Sequence, residues 1–374
     1  MRSRLAALSL PLLSLAACGG AGAGGVPTGF GAPPPVATPT PTPPPTSTTP
    51  NQANLFDVST TTSFDAVGAL QSLKTSPEKG TLYMGNASTV ATPSGTITYN
   101  PRDGIFTVAL SDAKAGVAKT INFQDPAHRA DADGARSGSY QVPLLPGFNY
   151  LQALDEKAQF TFFYQRPGTT GSFVSLAGFE RSELDKDTGE FTAAQGVFVF
   201  GTRTATIQTP ERGTGTYDGQ FLASMVGDQR GGTAPALQWI NGTSSVAVDF
   251  AARSVALSLN GVVGPAYRND MLVDNSTLAI GSGATFTATG SANWAQGVNA
   301  FAGRFSSAAF GSGSTVTAVD FTSVSAGTGV AGASSIDGTF YGPTANNVGG
   351  NFRIVGGIPN QRVDILGAFV GAKK

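Results

Sequence analysis

The sequence predicts an all-β protein whose C-terminal half closes into an eight-stranded antiparallel barrel. The chain of 374 residues contains 49 glycines and 24 phenylalanines, and only 13% of its residues are charged. A glycine-rich composition with few charges is typical of many strands joined by tight turns. Hydrophobic residues make up 40% of the chain, so a substantial core can form.

A five-residue motif, in which glycine is flanked two positions away by an apolar residue and by phenylalanine, recurs in the C-terminal half. In a strand, residues one, three and five of the motif point to one face, so each copy places two large side chains beside a gap. The gap accepts a large side chain from a neighbouring strand, and glycine permits the bending needed at barrel corners. The repetition therefore predicts one closed sheet without exposed edges. The copies are Tyr217–Phe221, Phe301–Phe305, Ile336–Phe340, Val348–Phe352 and Ile365–Phe369.

Two hairpins and one helix are predicted from local patterns. Residues 95–101 and 104–110 alternate around an Asn-Pro-Arg-Asp-Gly turn, and residues 244–250 and 254–261 alternate around Ala-Ala-Arg. Residues 63–73 are the best helix candidate, because their apolar residues recur at roughly helical spacing after a serine that can cap the first turn.

The first 54 residues are predicted to be a leader and a tether. Two arginines precede an apolar run at 5–17, which is the layout of a secretory signal peptide and too short for a permanent membrane span. Residues 15–18, Leu-Ala-Ala-Cys, resemble the bacterial lipobox, so residues 1–17 are expected to be removed and Cys18 to carry the lipid. The alternative is an ordinary signal peptide with a chance cysteine. Residues 18–54 are rich in glycine, proline and threonine, which is typical of an extended tether.

Composition and charge exclude several functional classes. A formal net charge of -1 offers no basic surface for nucleic acid. Because Cys18 is the only cysteine and His128 the only histidine, Cys–His catalysis and multi-histidine metal sites are excluded. Three alternatives stay open around His128: a Ser-His-Asp arrangement with Asp125 or Asp131, calcium at Asp131 and Asp133, and haem ligation by His128. A solvated loop is the preferred interpretation of each, so we predict no enzyme, no metal site and no cofactor.

Exposed aromatic residues are the candidate ligand-binding residues. Phe148 and Tyr150 lie in an apolar loop, and Trp294 lies in a glycine-flanked stretch, so all three are predicted to contact a partner. The alternative for the loop is packing against the barrel. Trp239 is predicted to pack in the barrel, and residues 182–190 are predicted to form a solvated hairpin tip.

The stretch between residues 338 and 352 closes the predicted sheet. It reads as a strand, a helical turn begun by Pro343 and ended by a left-handed Gly349, and a second strand. The same stretch resembles the signature of the transferrin-binding protein B-like β-barrel surface lipoproteins, although Asn347 stands where that family usually has an acidic residue. The residues that carry this resemblance are Phe340, Tyr341, Gly342, Pro343, Gly349, Gly350 and Phe352.

The resemblance implies a single lobe, with a β-rich handle subdomain at 55–210 and an eight-stranded barrel at 211–374. Residues 198–221 resemble the passage between the two parts of such a lobe. It further implies an outer-membrane, surface-exposed lipoprotein that is anchored through Cys18 and binds a protein or a haem or iron carrier. Two alternatives are a structural envelope lipoprotein without a specific ligand and a small-solute-binding calyx inside the barrel. The resemblance does not name the ligand.

Overall fold

The computed structural model describes residues 58–86, 95–112, 117–125, 127–130, 142–155, 157–166, 173–228, 235–322, 333–359 and 361–374. Within these ranges the only helical elements are two short 3-10 turns, Thr206–Gln208 and Asn275–Thr277. No helix in the described part of the chain is long and apolar enough to cross a membrane. The leader, the tether and Cys18 lie outside the described residues, as do Asp131 and Asp133 of the calcium alternative.

The described residues form twenty β-strands, in agreement with the predicted fold class. The strands are β1 (Thr62–Ser76), β2 (Gly80–Asn86), β3 (Gly95–Asn100), β4 (Ile105–Asp112), β5 (Val117–Gln124), β6 (Arg129–Ala130), β7 (Phe148–Asp155), β8 (Ala158–Gln165), β9 (Val174–Leu184), β10 (Phe191–Gly201), β11 (Thr214–Asp228), β12 (Pro235–Asp249), β13 (Ser254–Arg268), β14 (Met271–Leu272), β15 (Thr285–Asn293), β16 (Ala300–Ser312), β17 (Thr315–Ala318), β18 (Ala333–Tyr341), β19 (Asn347–Ile358) and β20 (Gln361–Lys373).

The strands form two antiparallel sheets. The first sheet, which we call the handle, has the order β5-β4-β3-β1-β10-β9-β8-β7-β6, and β2 pairs with β1. The second sheet runs β12-β11-β20-β19-β18-β16-β15-β13 and is closed by pairing between β12 and β13. This closure makes an eight-stranded barrel, with β14 and β17 added as short arms on β13 and β16. The closed antiparallel barrel and the β-rich handle are those of a handle-plus-barrel lobe.

Side chains fill the barrel interior, so the calyx alternative is wrong. The Phe221 ring packs there between two others, with its centroid 6.0 Å from that of Phe286 and 6.1 Å from that of Phe352. The core also holds the apolar ends of all five motif copies. A barrel of eight strands is just wide enough for its side chains to fill the interior.

The motif glycines make this packing and the curvature possible. The Phe301 ring occupies the position of a Cβ at Gly338, and the Phe352 ring does the same at Gly367. At Gly350, a Cβ would meet the carbonyl of the adjacent strand β18. Both predicted effects of the motif, a ring over glycine and close approach of the backbone, are therefore confirmed.

The two predicted hairpins are present. Strands β12 and β13 pair with Val248 opposite Val255, and their inward residues lie in the barrel core as the alternation predicted. Strands β3 and β4 pair with Asn100 opposite Ile105, around a turn in which Gly104 has φ 64°. Residues 185–190 form the tight turn between β9 and β10, so the hairpin tip predicted at 182–190 is present but shorter, since β9 extends to Leu184 and Ser182 is buried.

The predicted helix at 63–73 is wrong, because these residues belong to β1. Phe64 faces the handle core, whereas Val67 is buried on the opposite side of the strand and Leu73 packs in a cluster shared with the barrel. The strand is central in its sheet and buried on both faces. Burial on two faces removes the strict alternation that identifies an amphipathic strand, and it leaves a spacing that resembles a helix.

The turn at 342–346 also differs from its prediction. No helix forms there, and the left-handed residues are Gly342 (φ 82°) and Ala345 (φ 55°). Gly349 lies within β19 instead. Its lack of a side chain is required by the handle, since a Cβ would lie 2.9 Å from Cγ1 of Val199. Phe340 and Phe352 face the same core, as expected.

Candidate functional site

The handle packs on the outer wall of the barrel through a continuous apolar layer. Both subdomains contribute buried side chains to it, so the two parts are joined by a core rather than by a flexible link. The layer comprises Val142, Leu145, Phe148, Tyr150, Phe163, Val174, Leu176, Val197 and Val199 of the handle and Leu222, Trp239, Tyr341, Ala368 and Val370 of the barrel.

Phe148 and Tyr150 lie inside this layer and are not exposed, which corrects the sequence prediction. They are 7% and 3% exposed, and the Tyr150 ring stacks on Phe163 at 5.6 Å. The Tyr150 hydroxyl donates a hydrogen bond to the Pro143 carbonyl (2.7 Å) and accepts one from the Leu145 N–H (2.8 Å). Rings held this way cannot be surface contacts, so the alternative of packing against the barrel holds. Both residues belong to strand β7 rather than to a loop, and the segment is apolar because it packs against the barrel.

The two tryptophans occupy different environments. Trp239 is buried on the outer wall of the barrel, where Phe163 of the handle meets it edge-on at 5.6 Å. Trp294 lies where β15 ends and is partly exposed, with its ring against Phe250 (6.1 Å) and Phe340 (5.5 Å). Trp294 thus covers one end of the barrel core, and its role in ligand binding stays a prediction.

A row of buried polar residues crosses the handle face that meets the barrel. Thr161, Glu180, Gln195 and Gln71 lie side by side in register on β8, β9, β10 and β1, and all are fully buried. Gln195 accepts a hydrogen bond from the Ser224 hydroxyl of the barrel at 3.0 Å. The bonds that Gln195 and Gln71 make to the barrel favour one relative placement of the two packed surfaces, because a shift would break them inside a buried layer.

This polar row was missed in the sequence. A polar residue that alternates with apolar neighbours in a strand is normally read as facing solvent. Gln71 faces the barrel instead, and its amide donates to the Asp364 carbonyl at 3.0 Å. No signal in the sequence distinguishes a face covered by water from one covered by another sheet.

A cleft of about 240 Å³ opens where the handle, the linker and the barrel meet. We call it the junction cleft. Its walls and floor come from β1, the linker after β10, and strands β16, β18 and β19. The lining residues are Val67, Arg203, Ala300, Phe301, Ala302, Asp337, Gly338, Thr339, Tyr341, Gly349 and Gly350.

The signature residues build this cleft by holding the linker against the barrel. The Gly342 N–H donates to the Thr202 carbonyl at 2.9 Å, and the Thr204 N–H donates to the Phe340 carbonyl at 2.9 Å. The Thr204 hydroxyl bonds the Gly342 carbonyl at 2.6 Å. Arg203 is thereby placed at the cleft wall beside Tyr341, with its guanidinium 4.0 Å from the Asp65 carboxylate.

Asn347, the departure from the family pattern, is accommodated in the same region. It is buried, and its side-chain amide donates to the Gly371 carbonyl at 3.2 Å. An ionised carboxylate has no donor for that carbonyl. The substitution therefore fits a turn that is tied to the last strand of the barrel.

The cleft has the lining of a binding recess. Its floor presents small side chains and glycine backbone, and Arg203 and Asp337 are its two charged residues. Within the described ranges, no three His, Cys, Asp or Glu residues are grouped to hold a metal ion. An apolar recess with a few polar groups is typical of a site that receives a ligand group or a partner's side chain.

His128 is exposed on the turn between β5 and β6. Its Nδ1 accepts a hydrogen bond from the Gln124 N–H at 3.0 Å. Asp125 is buried and binds Arg129 (2.8 Å) and the Tyr164 hydroxyl (3.0 Å) instead of His128. The Ser-His-Asp alternative with Asp125 is therefore not assembled, and the haem alternative stays open.

We expect Tyr217 in the barrel core and Tyr341 in the layer between handle and barrel to resist alkaline titration. Burial raises the pKa of Tyr217 and of Tyr341 to about 12, from an ordinary value of 10.0. Because the folded pKa is raised, the stability they contribute is complete below pH 10 and is lost as pH rises through about 12. Absorbance at about 295 nm should show these phenols ionising only with alkaline unfolding. The chain has eight tyrosines, so the two phenols are identified by comparing the wild type with Tyr217→Phe and Tyr341→Phe; their ionisation near pH 10 in the folded protein would contradict this burial.

The fold and its junction define a handle-plus-barrel lobe. Comparison with known proteins shows to which family the barrel is similar. Residues 209–374 match the family model of the C-lobe and N-lobe beta barrels of Tf-binding protein B. This part of the chain belongs to the transferrin-binding protein B β-barrel family. No curated protein matches the chain.

Solved structures of low sequence identity accompany this match. Isotype 1 transferrin-binding protein B from serogroup B Neisseria meningitidis is 13% identical, with a TM-score of 0.34, over 82% of this chain and 43% of that one. HpuA from Kingella denitrificans, solved in complex with human haemoglobin, is 12% identical, with a TM-score of 0.29, over 86% and 90%. A transferrin-binding protein B mutant from Haemophilus parasuis is 11% identical, with a TM-score of 0.33, over 84% and 76%. The assignment rests on the family model.

Proposed function

We propose that this protein is a lipid-anchored outer-membrane lipoprotein, displayed at the cell surface, that binds a protein or an iron or haem carrier. The observation that carries the proposal is the barrel of residues 209–374, which matches a family named for transferrin binding. The lipobox-like sequence at Cys18 and the tether that follows support the anchoring. The proposal includes no catalytic step.

The filled barrel interior directs binding to the outside of the molecule. Since aromatic side chains occupy the core, a ligand must contact loops, edges or the junction cleft. We assign the cleft as an anchor point for an apolar side chain of the partner. Its position at the meeting of three chain segments makes it rigid, and preorganised recesses lose little entropy on binding.

The display is tested by adding protease to intact cells that produce the wild type or Cys18→Ala. We expect protease to cleave the wild-type domain, and we expect the variant to be released or retained inside the cell. Protection of the wild-type domain in intact cells would place it in the periplasm and remove binding of external partners. The alternative of a structural envelope protein predicts, in addition, that deleting the gene weakens the envelope and leaves growth on scarce iron unchanged.

The ligand and its anchor point are tested on the full chain in detergent, with transferrin and human haemoglobin as probes. We expect Ala302→Arg, which places a charged side chain in the cleft, to weaken binding of the recognised probe by about tenfold or more. Ala256→Arg is the matched control, since Ala256 is also an exposed residue on the outer barrel wall but does not line the cleft. Biolayer interferometry measures both variants. Equal binding by the two variants would exclude the cleft, and no binding of either probe by wild type would favour the structural alternative.

A further inference from the structure

The handle sheet has two ends that do not pair with each other. The sheet order begins at β5 and finishes at β6, which pairs with only two residues of β7. Strand β5 pairs with β4 on one side, and no described strand pairs with its other edge. Beyond the short β6, the edge of β7 is likewise free of any described strand. Such edges carry unpaired backbone donors and acceptors.

His128 joins these two edges at one point. The Gln124 N–H donates to His128 Nδ1 (3.0 Å), and the His128 N–H donates back to the Gln124 carbonyl (2.6 Å). On the other side, the Gln152 N–H donates to the His128 carbonyl at 2.9 Å. From this contact, β5 extends along the groove from Gln124 toward Thr120, and β7 extends along it from Gln152 toward Leu154. The two edges therefore run antiparallel along the sides of a groove.

The backbone groups of β5 that face this groove follow from the same bonds. The N–H and C=O of Gln124 both point to the His128 side, and strand residues two apart point the same way. Asn122 and Thr120 therefore direct their backbone groups into the groove. By the same rule, Leu154 does so on β7, because Gln152 bonds His128 from that edge.

The groove has a volume of about 600 Å³ and no charged side chain among its lining residues. Leu154 lies at its side and is 82% exposed, so an added strand can contact it. The lining therefore offers backbone hydrogen bonds, neutral amides and three apolar residues, Ile121, Ala153 and Leu154, and an added β-strand uses groups of these kinds. The lining residues are Thr120, Ile121, Asn122, His128, Gln152, Ala153, Leu154 and Gln159.

We propose that this groove binds an extended, uncharged peptide segment of a protein partner, which adds a strand to the handle along β5. In strand addition, backbone hydrogen bonds give affinity, and contacts with alternate side chains give specificity. The lack of charge in the lining favours an uncharged segment, since a buried charge without a partner is costly. This inference goes beyond the proposed function, because it names a second surface and a chemical class of ligand.

The test uses the full chain and a phage-displayed library of twelve-residue peptides without Asp, Glu, Lys or Arg. We expect the wild type to enrich β-prone peptides and Asn122→Pro to bind them about tenfold less, because proline removes a groove-facing N–H. Leu272→Pro is the matched control, since Leu272 is exposed on the short edge strand β14 and lies outside the groove. Thermal melts equal to wild type should confirm that both variants fold.

Hydrogen exchange locates the binding. An enriched peptide should protect the amides of Thr120 and Asn122 and leave that of Ile121, which faces β4, unchanged. The proposal is overturned if no peptide is enriched on wild type over Asn122→Pro, or if protection maps elsewhere. It is also overturned if sedimentation shows that Asn122→Pro abolishes a dimer while no peptide binds, because the groove then pairs two copies of this chain. Loss of peptide binding with transferrin or haemoglobin binding retained would separate this groove from the proposed function.

Discussion

Replacing Phe352 with alanine is expected to lower the free energy of unfolding by about 3–5 kcal/mol, the cost typical of deleting a buried phenylalanine. Phe352 is fully buried and packs edge-on against Phe221 (6.1 Å) and Phe305 (5.6 Å). Its ring also occupies the space left by Gly367. Alanine would leave a cavity in the middle of a closed barrel, which cannot collapse without breaking its hydrogen-bond ladder. Urea unfolding followed by tryptophan fluorescence measures the loss.

Leu154→Ala provides the control for this substitution. Leu154 is exposed, so we expect a change within about 0.5 kcal/mol. A loss of stability for Phe352→Ala as small as that of the control would mean that the barrel is not filled around this ring. The calyx alternative would then return.

Replacing Gly349 with valine is expected to destabilise the protein by about 1–3 kcal/mol and to separate the handle from the barrel. A Cβ at this position lies 2.9 Å from Val199 Cγ1 and 3.2 Å from both Tyr341 and Val174. The handle is packed on both sides of this contact, so it must move away as a unit. Trp239, which lies in the same layer, should then show red-shifted fluorescence, and the linker should become sensitive to protease.

The matched control for Gly349→Val is Gly227→Val in β11. Only Val363 Cγ1, at 3.9 Å, lies within contact distance of a Cβ at Gly227, so a β-branched residue fits there. We expect wild-type stability and fluorescence for this variant. Equal losses for the two valine variants would show that the handle does not press on the barrel at Gly349.

The junction has a consequence for binding. An apolar layer, a buried polar row and the linker bonds at Gly342 all hold the handle in one orientation. A partner that touches both subdomains therefore meets a preformed surface, and little ordering cost is added on association. For the same reason, Gly349→Val should weaken any partner that uses the junction cleft.

Local sequence patterns were enough to predict the fold class, the closed barrel and the residues that fill it. The spacing of two in the glycine motif depends only on strand geometry, so Phe340, Phe352 and their equivalents could be placed in the core without a structure. The hairpin of β12 and β13 was equally local, because one face is buried and the other exposed.

Features that depend on contact between the two sheets could not be predicted from local patterns. The structure shows that β1 is a strand and that a side chain at Gly349 would clash with Val199. It also shows that Phe148 and Tyr150 are buried rather than exposed. The physical reason is that alternation of apolar and polar residues separates the two faces of a strand. It does not show whether a second sheet covers the more polar face. Contact with another sheet covers a second face and brings together residues far apart in the chain, as with Gln71 and Asp364, and local sequence does not record it.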